Sequence, residues 1–234
     1  MICPRRRTAV VHRVASMLVL ASGSEIRASL LRAAGLDFDT DLPRIDEERM
    51  KLSLAAEDTK PRDIAEALAE TKARKVAGRR PGDLVLGCDQ VLDLGGRILS
   101  KPDTPETARA QLAALSGQRH LLHSAVVAHE GPAPVWRHVG TARLAMRPLS
   151  ARYIDAYVAR NWDSVRHAVG SYKLEEEGMR LFSAIDGDKG RVGFVFLQIQ
   201  NIVARDIGSL GRFVIIKRTD AGISPDDVIR TDLG

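Results

Sequence analysis

The chain has 234 residues, 44% of them apolar and 4% aromatic, enough for one sizeable α/β domain or two small ones with aliphatic cores. No apolar run approaches the roughly 20 residues that span a bilayer, and Cys3 and Cys88 have neither metal-ligand spacing nor a disulfide framework. The net charge of +5 comes from four arginines before Met17 and an excess of two cations after Asp188, so residues 17–188 sum to −1 and lack the basic footprint of a nucleic-acid binder.

These totals point to a cytoplasmic protein with neither nucleic acid nor membrane as partner. Residues 1–16 form a basic extension with no long apolar stretch and no A-x-A-like cleavage site, which is unlike a signal peptide. Met17 reads as the working start.

From Met17 the run MLVL predicts a buried strand, followed by the turn Ser22-Gly23-Ser24 and a helix from Glu25 to Ala34 stopped by Gly35. A strand feeding a Ser/Gly turn at a helix N-terminus gathers unpaired N–H groups at the positive end of the helix dipole, and Arg27 adds a forked cation there. Such a place suits a phosphate, although an ordinary capped connection has the same pattern. Residues 36–60 are polar, rich in Asp and Glu, and read as a loop beside a cleft. Pro61 then opens a helix closed by Gly78, with Ile64, Ala65, Leu68 and Val76 on its apolar face and Lys72 at the margin. On these residues alone Lys72 reads as a solvated lysine.

The run DLVLGCDQVL predicts a second apolar strand, and Gly95-Gly96 returns it as a hairpin. Asp89 and Gln90 interrupt a stretch that otherwise asks to be buried, and a buried carboxylate is costly unless paired or metal-bound. Asp89 is either functional or an edge-strand residue reaching solvent. Thr104 caps a helix with Pro105 at its first position, ending at Ser116-Gly117. Residues 120–129 and 135–146 read as an antiparallel pair turned at Gly131-Pro132, and the histidines between 120 and 167 lack zinc spacing. Ser150 caps a helix to about Arg160 with Ile154, Tyr157 and Val158 inward, and residues 170–178 form a late loop with a glutamate run. Parallel-type connections early and hairpins later predict an α/β fold: a mixed twisted sheet with flanking helices, in two lobes around a central cleft.

Six stretches, in order, resemble the Maf family of nucleoside triphosphate pyrophosphatases: LASGSEIRASLL, IDEE, ETKA, GCDQV, SKPDTPETARAQLAALSG and GSYKLEEEGMRLFSAIDGD. The resemblance covers residues 17–188, read as a Maf-like catalytic domain between the extension 1–16 and a divergent segment 189–234. It implies hydrolysis of a nucleotide's α–β phosphoanhydride to monophosphate and pyrophosphate. By motif, Ser22, Ser24, Arg27, Lys72 and Lys101 would bind phosphates. Glu47 and Asp89 would hold a divalent cation, Mg²⁺ or Mn²⁺, with Asp89 also the catalytic carboxylate. Ile26, Gln90 and Glu175 would set substrate choice. Members of the thymidine/uridine type have Thr after the central Asp and Gln in the late loop; Gln90 and Glu175 instead resemble the branch acting on 7-methyl-GTP. The resemblance also carries two alternatives, a dTTP/UTP pyrophosphatase or a nucleotide-binding cell-division regulator with little turnover. Homodimers are common in the family.

Two departures stand out. Glu25 and Ile26 replace the usual Pro and Arg or Trp, so Glu25 would repel phosphate if it faced the cleft and Ile26 offers neither fork nor indole. After Asp188 the expected Gly-Leu-Pro-Leu segment is missing, a pattern expected of a reading-frame change near that residue.

Overall fold

A computed structural model describes residues 17–187, together with the backbone of residues 214–216 and 228–230. The extension 1–16, most of the divergent segment 189–234 and the expected frame change near Asp188 lie outside the described residues.

The described residues begin with β1 (Leu18–Ala21), α1 (Glu25–Ala33), β2 (Asp39–Thr40), α2 (Glu47–Ala56) and α3 (Pro61–Ala77). The hairpin β3 (Leu84–Leu94) and β4 (Arg97–Leu99), helix α4 (Pro105–Leu115) and the long pair β5 (Arg119–Glu130) and β6 (Ala133–Met146) follow. Helix α5 (Ala151–Val165), 3₁₀ turns at Val169–Ser171 and Glu177–Leu181, and β7 (Phe182–Gly187) complete the body. A separate short pair is formed by β8 (Val214–Ile216) and β9 (Val228–Arg230).

One seven-stranded sheet runs β2-β1-β3-β5-β6-β7, with β4 on β3. The β1–β2 and β1–β3 pairs are parallel and all others antiparallel, the mixed sheet expected from the connections. The β3 strand has β5 along one side throughout. Its other side pairs with β1 only as far as Gly87 and with β4 only from Leu92. Residues 88–91 therefore face a gap in the ladder, and the gap is where the sequence placed Asp89 and Gln90.

Strand alternation decides which side chains meet there. Leu84, Leu86 and Cys88 pack with α1, whereas Leu92 packs with α4 and α5 on the same face. Gln90 lies between those two clusters, its Nε2 donating to Ser124 Oγ at 2.9 Å. This polar seam separates two helical lobes over one continuous sheet. On the opposite face Val85 and Val91 pack under α3, which brings Asp89 to that helix as well. Contact there is bare backbone at Gly87: a Cβ would sit 2.1 Å from Ala69 O and 2.6 Å from Ala73 N.

Capping follows the sequence closely. Ser24, Thr104 and Ser150 each cap a helix through the side-chain oxygen. Gly35 takes φ +75° after α1, and Leu36 N–H donates to Leu31 O in the manner of a Schellman stop. Two expectations are corrected. Residues 36–60 are not a continuous loop, because Asp46 caps α2 by accepting from Arg49 N, and Met50 and Leu54 rest on the cluster under α3. Helix α5 runs five residues beyond Arg160, to Val165, which is buried with the rest of its inner face.

Candidate active site

The opening turn is held by its own side chains. Ser22 Oγ accepts from Ser24 N at 3.2 Å and from Arg27 Nη1 at 3.1 Å, and Ser24 Oγ caps Arg27 N. Arg27 Nη1 also donates to Cys88 O at 3.0 Å. That carbonyl belongs to the unladdered stretch of β3, so the guanidinium bridges the helix N-terminus to the gap beside Asp89. Glu25 turns away and pairs with Arg32 at 2.6 Å on the exposed side of α1. Ile26 is half-buried and carries no polar contact.

Lys72 is the centre of the site. Contrary to the solvated reading, it is 3% exposed, with Nζ 2.6 Å from Asp89 Oδ1 and 2.9 Å from Glu47 Oε1. Ile64, Leu68 and their neighbours seat α3 on the sheet, and the missing side chain at Gly87 lets the helix approach closely enough for a lysine stem to lie flat against β3. Asp89 is 4% exposed and does not reach solvent. A buried ion pair of this kind survives only where further hydrogen bonds offset desolvation, and the second oxygen, Asp89 Oδ2, has no partner among the described residues. That oxygen is a directed acceptor awaiting a water, a cation or a ligand donor.

Glu47 projects from the first turn of α2 between two cations, with Oε1 on Lys72 and Oε2 4.0 Å from the half-exposed Lys101 Nζ. Burial alone would raise its carboxyl, but the charge and hydrogen bond of Lys72, with Lys101 and Lys51 beyond, hold it below the ordinary glutamate value. Two hard carboxylates and two amines are thereby gathered from α2, α3, β3 and the loop after β4. No group of three or more Asp, Glu, His or Cys side chains suited to a cation occurs among the described residues. The pair Glu47 and Asp89, with an orphaned buried carboxylate oxygen, still suits an oxygen-seeking cation that keeps most of its waters and takes a ligand's phosphates.

Glu175 stands apart in the late loop. Glu176 accepts from Ser164 and Lys173, and Glu177 accepts from Arg160 and Asn161, so both anchor the loop to α5. Glu175 is exposed and has no hydrogen bond or ion pair among the described residues. Of the three consecutive glutamates it is the one free to meet a ligand.

The structure thus joins Glu47, Lys72, Asp89 and Lys101 in one cluster, places Ser22, Ser24 and Arg27 against its edge through Cys88, and leaves Gln90 on the seam and Glu175 across it. Sequence reading missed Lys51, 5% exposed and paired with Glu48 at 2.9 Å. The signal was present, because Lys51 lies three positions after Glu48, on the same side once 47–56 is known to be helical. A cavity of about 430 Å³ behind α2 is lined by Glu48, Lys51, Leu52, Lys60, Ile98 and Ser100; none of the sequence-derived site residues lines it. No helix among the described residues is long and apolar enough to cross a membrane.

Comparison with known proteins adds an independent line. The profile of the Maf-like protein family matches residues 17–198. A nucleoside triphosphate pyrophosphatase of Ruegeria pomeroyi is 62% identical over 188 residues, 80% of this chain and 94% of that protein. A nucleoside triphosphate pyrophosphatase of Sphingopyxis alaskensis is 51% identical over 172 residues, 73% of this chain and 87% of that protein. A 7-methyl-GTP pyrophosphatase of Brucella abortus is 44% identical over 171 residues, 73% of this chain and 86% of that protein.

Proposed function

Because this chain belongs to the Maf family, we propose that it is a nucleoside triphosphate pyrophosphatase acting on 7-methyl-GTP or a similarly modified purine nucleotide. The observation that carries the reading is the buried Lys72–Asp89 pair with a free carboxylate oxygen, set beside a helix N-terminus that holds Arg27. Phosphoanhydride hydrolysis asks for that combination: cations for the polyphosphate charge and a fixed acceptor to align water.

In this reading the phosphates lie from the Ser22–Ser24 turn across Arg27 toward Lys101, with the N–H groups of α1 and the two side-chain cations neutralising them. Asp89 Oδ2 accepts a hydrogen bond from the attacking water, aligns it on the α-phosphorus and takes its proton as the bond to phosphorus forms. Lys72 fixes the opposite oxygen and so sets the carboxylate's orientation. The new P–O bond forms as the α–β bridging bond breaks, and the bridging oxygen leaves with pyrophosphate. Glu47 and Asp89 suit Mg²⁺ or Mn²⁺, which when bound would supply further charge neutralisation and lower the pKa of a coordinated water. Glu175 supports a modified guanine, since a carboxylate accepts from guanine N1–H and the exocyclic amine and offsets the positive charge of 7-methylation. Gln90 at the seam lies on the path between phosphate and base. The buried free thiol of Cys88 fits the reducing cytoplasm.

The test is pyrophosphate release from a panel of nucleoside triphosphates with either metal. We expect 7-methyl-GTP to give the highest kcat/KM, and Asp89→Asn to lower kcat by about 100-fold or more, the scale of removing an aligned acid–base group. Preference for dTTP or UTP would transfer the chain to the pyrimidine reading. Nucleotide binding without pyrophosphate release would favour a regulator.

A further inference from the structure

The geometry points to Gln111 as a positioning residue that ties the phosphate side of the cleft to its base side. This inference deepens the pyrophosphatase reading and rests on it for its kinetic consequence, although the tie itself is a property of the free protein. Gln111 lies on α4 and uses both ends of its amide. Its Nε2 donates to Ser100 O at 2.9 Å, and its Oε1 accepts from Ser171 Oγ at 2.7 Å. A carbonyl can only accept, so the amide has one productive orientation.

Each partner adjoins a group assigned to one half of the substrate. Ser100 precedes Lys101, and its hydroxyl donates to Glu48 Oε2 at 2.7 Å while Glu48 Oε1 holds Lys51 at 2.9 Å. Glu47 and Glu48 thus grip two consecutive residues of the loop after β4, Glu47 reaching Lys101 and Glu48 reaching Ser100. At the far end Ser171 opens the late loop that carries Glu175. Ser171 is fully buried and takes φ +62° directly after Gly170 at φ +74°. A non-glycine residue persists in that region only where its surroundings over-determine it. The Gln111 carbonyl supplies that restraint, and the space at Gly170 is closed by Leu92 Cδ1, 2.3 Å from where a Cβ would stand.

A continuous relay therefore runs Lys51–Glu48–Ser100–Gln111–Ser171, from α2 to the late loop, spanning the gap between the loops of Lys101 and Glu175. Its length sets how far the base-reading loop stands from the phosphates. Cutting it leaves each subsite intact but lets them drift in register. Base discrimination should fall while affinity for phosphate alone does not.

The experiment pairs hydrogen exchange on the free full-length protein with kinetics. In Gln111→Ala, backbone amides of the 100–101 and 171–175 loops should lose protection together, with no change in β3 or α3. Loss in one loop only, or in neither, overturns the relay whatever the enzyme acts on. In the kinetic arm, the ratio of kcat/KM between the best and worst nucleoside triphosphate should fall about tenfold, the effect of one well-placed hydrogen bond. Inhibition by inorganic tripolyphosphate, which engages the phosphate side only, should stay within about twofold of wild type. Gln111→Glu keeps the acceptor for Ser171 but sets an oxygen against Ser100 O, so its ratio should fall as in the alanine variant. Gln111→Ala combined with Ser171→Ala should be no worse than either alone, because both cut one path. An equal loss on every substrate, together with weakened tripolyphosphate inhibition, would show an ordinary packing role and overturn the proposal. If wild type hydrolyses no nucleotide, the pyrophosphatase reading fails and the exchange arm still decides the relay.

Discussion

At the scale of single residues, Glu47 shows how charge and burial compete. A half-buried carboxylate would ordinarily resist ionisation, yet two amines face it and a third lies nearby, so its proton is held less tightly in the folded chain than in the unfolded one. A carboxyl depressed in this way adds stability above its ordinary value of 4.5, and that stability is lost as the pH falls through the folded-state value. Glu47→Gln should therefore be less stable than wild type by about 1–2 kcal/mol at pH 7, with the gap closing as the pH falls below 4.5. Urea midpoints of the two proteins across that range provide the measurement, and a gap independent of pH would show that packing, not charge, holds Glu47. Lys72 teaches a related lesson. Its position one turn beyond Leu68 suggested the margin of the helix, and what buries it is the absent side chain at Gly87 on another element, invisible in the spacing of α3 itself.

At the scale of elements, α3 against β3 is the contact on which the site depends. The helix lies so close that a methyl group at residue 87 meets the Ala69 carbonyl at 2.1 Å, and a backbone atom in a packed helix cannot turn aside as a side chain can. Gly87→Ala should push α3 outward and cost about 1–3 kcal/mol or more. Because Lys72 moves with the helix, kcat should fall at least tenfold in protein that still folds, as expected when a catalytic constellation shifts by an ångström or so. Matching urea midpoints and turnover for the variant and wild type would refute this account. Helix α2 marks where local reading gave out. Its capping signal, Asp46 with Glu47 and Glu48 in the first turn, was legible. Its apolar face, reduced to Met50 and Leu54, was too thin to show helical periodicity among the charges. Strongly patterned elements such as α4 and the β5–β6 pair fell where the sequence put them, because a cap, a proline or a turn marked each end.

At the scale of the whole molecule, the gap in the sheet could not be read from the sequence. It exists because β1 ends at Ala21, opposite Gly87, and β4 ends at Leu99, opposite Leu92, so the two together leave residues 88–91 of β3 without a neighbour on that side. Strand composition gives the alternation along β3 but not where two other strands stop beside it. The order of motifs, by contrast, was legible, since Ser22, Ser24, Arg27, Glu47 and Lys101 sit at the ends of elements whose boundaries carry their own chemical signals, and Asp89 interrupts an apolar strand. On the proposed reading the phosphate and base groups stand on different lobes, and a ligand reaching across the seam would add its own link to the one Gln111 makes. An α,β-methylene triphosphate analogue, whose P–C–P bridge cannot be cleaved, isolates that effect. At 100 times its Kd with Mg²⁺ it should stabilise the fold by about 2.7 kcal/mol, a rise of about 5–10 °C in Tm for a chain of this size. Exchange protection should increase together in the 22–27 turn, the 100–101 loop and the 171–175 loop, while the exposed side of α5 stays unchanged. Arg27→Ala, which removes the bridge between the α1 N-terminus and Cys88 O, should abolish most of the shift. A full shift in that variant, or protection confined to one lobe, would mean that the nucleotide does not lie across the gap in the sheet.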